Sequence, residues 1–109
     1  MKIPRDFLEK FLVDEWQYKP KQVVGIIDEL LDMDDSILAS FQKWVNEGVI
    51  PEKPEINGWN PKNIADTYPF KPPACFLMLD WIRREPEEAI EALKDEYGVL
   101  PENIASQSI

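Results

Sequence analysis

Apolar side chains recur at helical spacing along most of the chain, and prolines, capping residues and glycines interrupt the pattern at short intervals. Residues three and four apart share one face of a helix, so each uninterrupted stretch predicts a short amphipathic helix. The predicted helices cover about 4–16, 20–33, 36–46, 60–68, 74–84 and 86–97. The pattern therefore predicts an all-α fold, a compact bundle of five to six short helices in a single domain.

Prolines and capping residues define where these helices begin and end. Pro20 and Pro61 stand in first turns, where a missing backbone N–H costs nothing, and Asn60 precedes Pro61 as a good N-cap. Asp34, Asp35 and Ser36 are all suitable N-caps for the third helix, and Gly48 can end that helix in a left-handed conformation. These signals place the helix boundaries with little help from packing.

The stretch from 74 to 82 is apolar almost without interruption. Such a run is typical of a helix buried nearly all round, or of a buried strand. We favour the helix because the run is not β-branched and because Arg83 and Arg84 place positive charge at its carboxyl end. A buried strand over this stretch is kept as the alternative interpretation.

The second, third and fifth helices are expected to supply most of the core. Their predicted core residues are Ile26, Ile27, Leu30, Phe41, Trp44, Phe76, Leu79 and Trp81. Gly25 costs the second helix about 1 kcal/mol relative to alanine, which a closely packed neighbouring helix would offset. The helical domain is predicted to span 1–98, and residues 99–109, which lack periodicity, are predicted to form a loosely ordered tail.

Charge narrows the classes of partner. The 109 residues carry a net charge of -9, which repels phosphate backbones and anionic lipid, so neither nucleic acid nor membrane is expected as a partner. The longest apolar run is too short to cross a bilayer, and no leader-like segment follows Met1. A lone cysteine, Cys75, cannot close an intramolecular disulfide. A cytoplasmic protein is the expectation.

No cofactor, metal site or catalytic residue is predicted. The chain has no histidine to activate Cys75, and that cysteine stands in an apolar run typical of a core residue. Asp32, Asp34 and Ser36 have the spacing that opens a calcium loop. The loop fails further on, where Ile37 and Lys43 occupy the positions of its required glycine and glutamate. The glycines form no phosphate-binding loop.

Two groups of residues are candidates for contact with a partner protein. Asp28, Asp32 and Asp35 form an acidic face along consecutive helical turns. Trp59 lies in a proline-bounded connection rather than on a helical stripe, and the aromatic residues Tyr68 and Phe70 follow not far along the chain. In the alternative interpretation, the three aromatic side chains anchor a long loop to the core.

These observations favour a small acidic protein with a non-enzymatic role, an interaction or accessory protein that binds a partner protein or self-associates. One form of this hypothesis is an acidic decoy that occupies a basic nucleic-acid-binding protein. An alternative is a small enzyme that uses carboxylates with Mg²⁺ or Mn²⁺, since oxygen ligands do not need histidine. A DNA-binding regulator is a further alternative, and its basic face would form around Lys19, Lys21, Arg83 and Arg84.

Overall fold

The computed structural model describes residues 4–105, and within that range the chain forms seven α-helices and no strand. The helices are α1 (Arg5–Asp14), α2 (Pro20–Leu31), α3 (Asp35–Glu47), α4 (Pro61–Thr67), α5 (Pro72–Arg84), α6 (Pro86–Tyr97) and α7 (Glu102–Ala105). The all-α prediction is confirmed. The described residues contain one helix more than the predicted five to six, because the short α7 follows the last predicted helix.

The boundaries of α1 to α6 follow the local signals in the sequence. Proline stands in the first turn of α2, α4, α5 and α6. The side chain of Asp34 caps α3 by accepting a hydrogen bond from the backbone N–H of Ser36 at 3.2 Å. Gly48 and Gly98 end α3 and α6 in the left-handed region, with φ of 75° and 71°.

Helix α5 is the centre of the fold and contacts α2, α3, α4 and α6. Its residues Cys75, Phe76, Leu79 and Ile82 lie on one face and are buried in the main core. Six of the eight predicted core residues are buried, and the exceptions are Ile26 and Trp81, which are half-buried. The helix predicted for this apolar stretch, rather than a strand, is the one observed.

Gly25 does not mark a close helix contact. No atom lies within 4 Å of the position that a Cβ would occupy there, so the close packing considered for α2 is absent at this residue. The glycine is exposed to solvent instead.

The connection between α3 and α4 is held on the bundle by hydrogen bonds. Asn57 and Gly58 have φ of 51° and 90° and make a tight turn. The flanking Ile56 and Trp59 exchange backbone hydrogen bonds of 2.7 and 2.9 Å. Earlier in the connection, the Ser40 hydroxyl donates to the carbonyl of Lys53 at 2.6 Å. The segment is irregular, as predicted, but it is fixed at both ends.

The segment after Gly98 returns to the bundle. The Tyr68 hydroxyl donates to the carbonyl of Val99, and the Asn103 side-chain amide donates to the carbonyl of Gly58, each at 2.8 Å. Part of the predicted tail is therefore helical and attached through α7, whereas 106–109 lie outside the described residues. Four residues of helix are too few to produce a periodic apolar pattern, so the sequence gives no signal for α7.

No helix within residues 4–105 combines the length and the hydropathy that crossing a membrane requires.

Candidate functional site

A groove on the described part of the chain lies between the end of α2 and the length of α5. It has a volume of about 610 Å³. The residues that line it are Glu29, Asp32, Ala74, Leu77, Met78, Asp80, Trp81, Arg84 and Glu85. The groove therefore combines an apolar floor from α5 with carboxylates from α2, from α5 and from the residues that directly follow these two helices.

The floor of the groove is a second apolar stripe of α5. Ala74, Leu77, Met78 and Trp81 follow one another at i, i+3, i+4 and i+7, so they share one face of the helix. This face is distinct from the one that enters the main core, and its four residues are each only half-buried. We call these four residues the α5 stripe. The sequence predicts a helix buried nearly all round, and the structure leaves this part of it accessible.

Three carboxylates border the α5 stripe, and we call Glu29, Asp32 and Glu85 the acidic rim. All three side chains are exposed. Within residues 4–105, no lysine or arginine forms an ion pair with any of them. The rim therefore places three carboxylates without an ion pair beside apolar surface, and Arg84, which also lines the groove, is paired with Asp80 instead.

Asp80 is the most buried of the acidic residues that line the groove. The residue is 6% exposed, and its Oδ1 accepts hydrogen bonds from Arg83 Nε and from the backbone N–H of Asp34, both at 3.1 Å. Its Oδ2 accepts from Arg84 Nε at the same distance. A buried carboxylate needs such partners, because an unpaired charge in the interior is costly. Asp80 thereby ties α5 to the start of α3 and holds both arginines close to the helix.

The carboxylates of Glu85 and Glu88 contact each other where α5 ends and α6 begins. A hydrogen bond between Glu85 and Glu88, together with the charge of Glu85, raises the pKa of the Glu88 carboxyl. Two acidic side chains in contact disfavour full ionisation of both. Two acidic side chains therefore lie close together beside the end of the groove.

The three aromatic candidates occupy different environments. Trp59 is 1% exposed and belongs to the core, and Tyr68 is 3% exposed. Phe70 is half-buried, with its ring centroid 5.5 Å from that of Tyr68, and both rings contact Tyr97. These positions agree with the interpretation in which the aromatic residues anchor connections. Partner contact through Trp59, Tyr68 and Phe70 stays a prediction, and Phe70 is the most accessible of the three.

The acidic candidates are all exposed, but they have different neighbours. Asp28 Oδ1 pairs with Arg5 Nη2 of α1 at 2.8 Å. Asp32 belongs to the acidic rim, and Asp35 lies in the first turn of α3, where a carboxylate complements the helix dipole. Only Asp32 of the three lines the groove.

Cys75 lies in the interior of the bundle. It is fully buried, and burial raises the pKa of its thiol to about 12. A thiol in this state is a small apolar core residue and a poor nucleophile.

Two of the four residues considered for a DNA-binding face are engaged in ion pairs. Arg83 and Arg84 share the carboxylate of Asp80, which offsets part of their charge. Within residues 4–105, no three histidine, cysteine, aspartate or glutamate side chains are grouped as they would be around a metal ion. No observation on the described residues specifically supports the hypothesis of a metal-dependent enzyme or that of a DNA-binding regulator.

Comparison of this chain with protein-family models, with curated proteins and with solved structures found no match.

Proposed function

We propose that this chain is a small acidic protein with a non-enzymatic role, which binds a partner protein through its acidic helical surface. The supporting observation is the groove in which the half-buried α5 stripe lies beside the unpaired acidic rim. Protein interfaces commonly have an apolar centre that gives affinity and a polar border that gives orientation. The groove has both parts.

A capture experiment tests this proposal with a matched pair of variants. The chain is immobilised as bait in extract of its native cell, in parallel with Glu29→Gln/Asp32→Asn and with Glu91→Gln/Asp95→Asn. Both variants remove two exposed carboxylates, but only the first pair belongs to the groove. We expect a specific protein that is lost with rising salt and with the groove variant, and retained by the control variant. Capture that is indifferent to salt and to both variants contradicts the proposal.

Thermal unfolding separates this proposal from a carboxylate-dependent enzyme. A divalent metal that binds the native state must raise the melting temperature by mass action. We expect no shift with Mg²⁺ or Mn²⁺ at concentrations of about 1 mM. A clear rise that disappears with chelator contradicts the non-enzymatic proposal and favours the alternative.

A cytoplasmic location is part of the same proposal. It is supported by the single, fully buried cysteine, which needs no oxidising compartment. Fractionation of the native cell tests it.

A further inference from the structure

We infer that the groove between α2 and α5 binds a basic amphipathic helix of another protein, with apolar side chains on the α5 stripe and lysine or arginine side chains against the acidic rim. This inference rests on the proposed function and adds the chemistry and the secondary structure of the partner segment. It is carried by the juxtaposition of Leu77, Met78 and Trp81 with Glu29, Asp32 and Glu85.

Helix α5 carries apolar residues on two faces. One face is buried in the core, and the other is only half-buried. Leu77, Met78 and Trp81 are packed against the core along one side and remain accessible along the other. A large aromatic ring and a flexible methionine in a concave site are typical of surfaces that bind another helix.

The charges of the groove favour a positively charged partner. The rim contributes three carboxylates that form no ion pair with the described residues, whereas Arg84, the cation that lines the groove, is paired with Asp80. A partner that brings positive charge to this border is attracted and oriented, whereas an acidic partner is repelled. Nucleic acid and anionic lipid carry the wrong charge for this rim. A second copy also carries a net charge of -9, so pairing of two copies through the same rim is disfavoured.

The shape of the groove favours a helix as the bound segment. The described residues contain no strand, so the groove offers no sheet edge to which an extended peptide could add. The stripe covers seven residues of rise along α5, from Ala74 to Trp81, or about 10 Å. Anchors at i, i+3 or i+4, and i+7 on a partner helix match this length.

Two labelled peptides of about 15 residues test the inference by fluorescence anisotropy. The first places leucine at i, i+3, i+4 and i+7 with lysine elsewhere. The second has the same composition with its leucines distributed around the helix. Each is titrated with wild-type protein, with Met78→Lys and with Val24→Lys. The two substitutions add the same charge to a helix, but Val24 lies on α2 outside the groove.

We expect the patterned peptide to bind wild-type protein at least about tenfold more tightly than the second peptide. Met78→Lys should weaken that binding by at least about tenfold, and Val24→Lys by about twofold or less. If Met78→Lys fails to fold, the exposed pair Glu29→Gln/Asp32→Asn takes its place, with an expected loss of about threefold to tenfold at low salt.

The results that would overturn this inference can be distinguished from those that would overturn the proposed function. Equal binding of both peptides, unaffected by Met78→Lys and lost with salt, overturns the groove inference but leaves an acidic interaction surface in place. Absence of binding to either peptide overturns the inference, and the capture experiment then decides the proposed function separately. Concentration-dependent dimerisation that Met78→Lys abolishes, or binding to phosphatidylserine vesicles through the groove, also overturns the inference.

Discussion

Replacement of Asp80 by alanine should lower the stability of the fold substantially, although the residue forms part of a surface groove. The substitution leaves the backbone N–H of Asp34 without its acceptor, which costs about 1–3 kcal/mol for a partly buried group. It also removes two arginine contacts, each worth about 0–1 kcal/mol because the arginine side chains are 37% and 53% exposed. The expected loss in the free energy of unfolding is about 1–5 kcal/mol.

Urea unfolding of wild-type protein, Asp80→Ala, Asp80→Asn and Asp66→Ala measures this loss. The asparagine keeps an acceptor for the Asp34 N–H but loses the charge, so it should cost about half as much as alanine. Asp66 pairs with Lys62 at 2.7 Å on the surface, where its side chain is 60% exposed, so its removal should cost less than about 1 kcal/mol. If Asp80→Ala costs no more than Asp66→Ala, the reasoning about a buried acceptor is refuted.

Other predictions concern the interior and the surface. Trp59→Ala should lower the free energy of unfolding by about 3–5 kcal/mol in urea, as for a large core aromatic, and a loss below about 1 kcal/mol would contradict its burial. With a thiol pKa of about 12, Cys75 should react with a thiol reagent at pH 8 only as fast as the chain unfolds, and prompt labelling of native protein would disprove this. Gly25→Ala should raise the free energy of unfolding by about 0.5–1 kcal/mol, because no atom lies close to the position of the new methyl group. A lower free energy of unfolding would contradict the open space around this position.

The pKa of Glu88 provides a prediction with a defined sign. Its folded pKa is raised by contact with Glu85, so the associated stability is present below the ordinary value of 4.5 and is lost as pH rises through the folded pKa. Carboxyl NMR titration should show the Glu88 pKa above that value, and Glu85→Gln should bring it down. A Glu88 pKa that does not respond to this substitution would contradict the pairing.

Sequence reasoning recovers the helices of this fold because their signals are local. The bounds of α1 to α6 agree with the predicted ranges to within two residues. Pro20, Pro61 and Pro86 open helices, and Gly48 and Gly98 end them, through backbone preferences that do not depend on distant contacts. The short α7 depends on tertiary contacts instead, such as the hydrogen bond from Asn103 to Gly58.

The candidate groove depends on information that is only partly local. The spacing of Ala74, Leu77, Met78 and Trp81 is visible in the sequence as a second stripe, but the continuous apolar run conceals which stripe is buried. Only the packing of α2 against α5 brings Glu29 to this stripe. The same limit applies to Trp59, because its position in an irregular connection is compatible with partner contact as well as with a loop anchor, and the folded structure places it in the core.

NMR mapping of the patterned peptide on isotopically labelled protein tests the central claim most directly. The account predicts shift changes concentrated on the α5 stripe, the Trp81 indole and the acidic rim, and Trp81→Phe assigns the indole signal. The indoles of the buried Trp44 and Trp59 should be unaffected. Changes spread evenly over all acidic surfaces, or centred on α6 with Trp81 unmoved, would contradict the claim that this groove is the binding site.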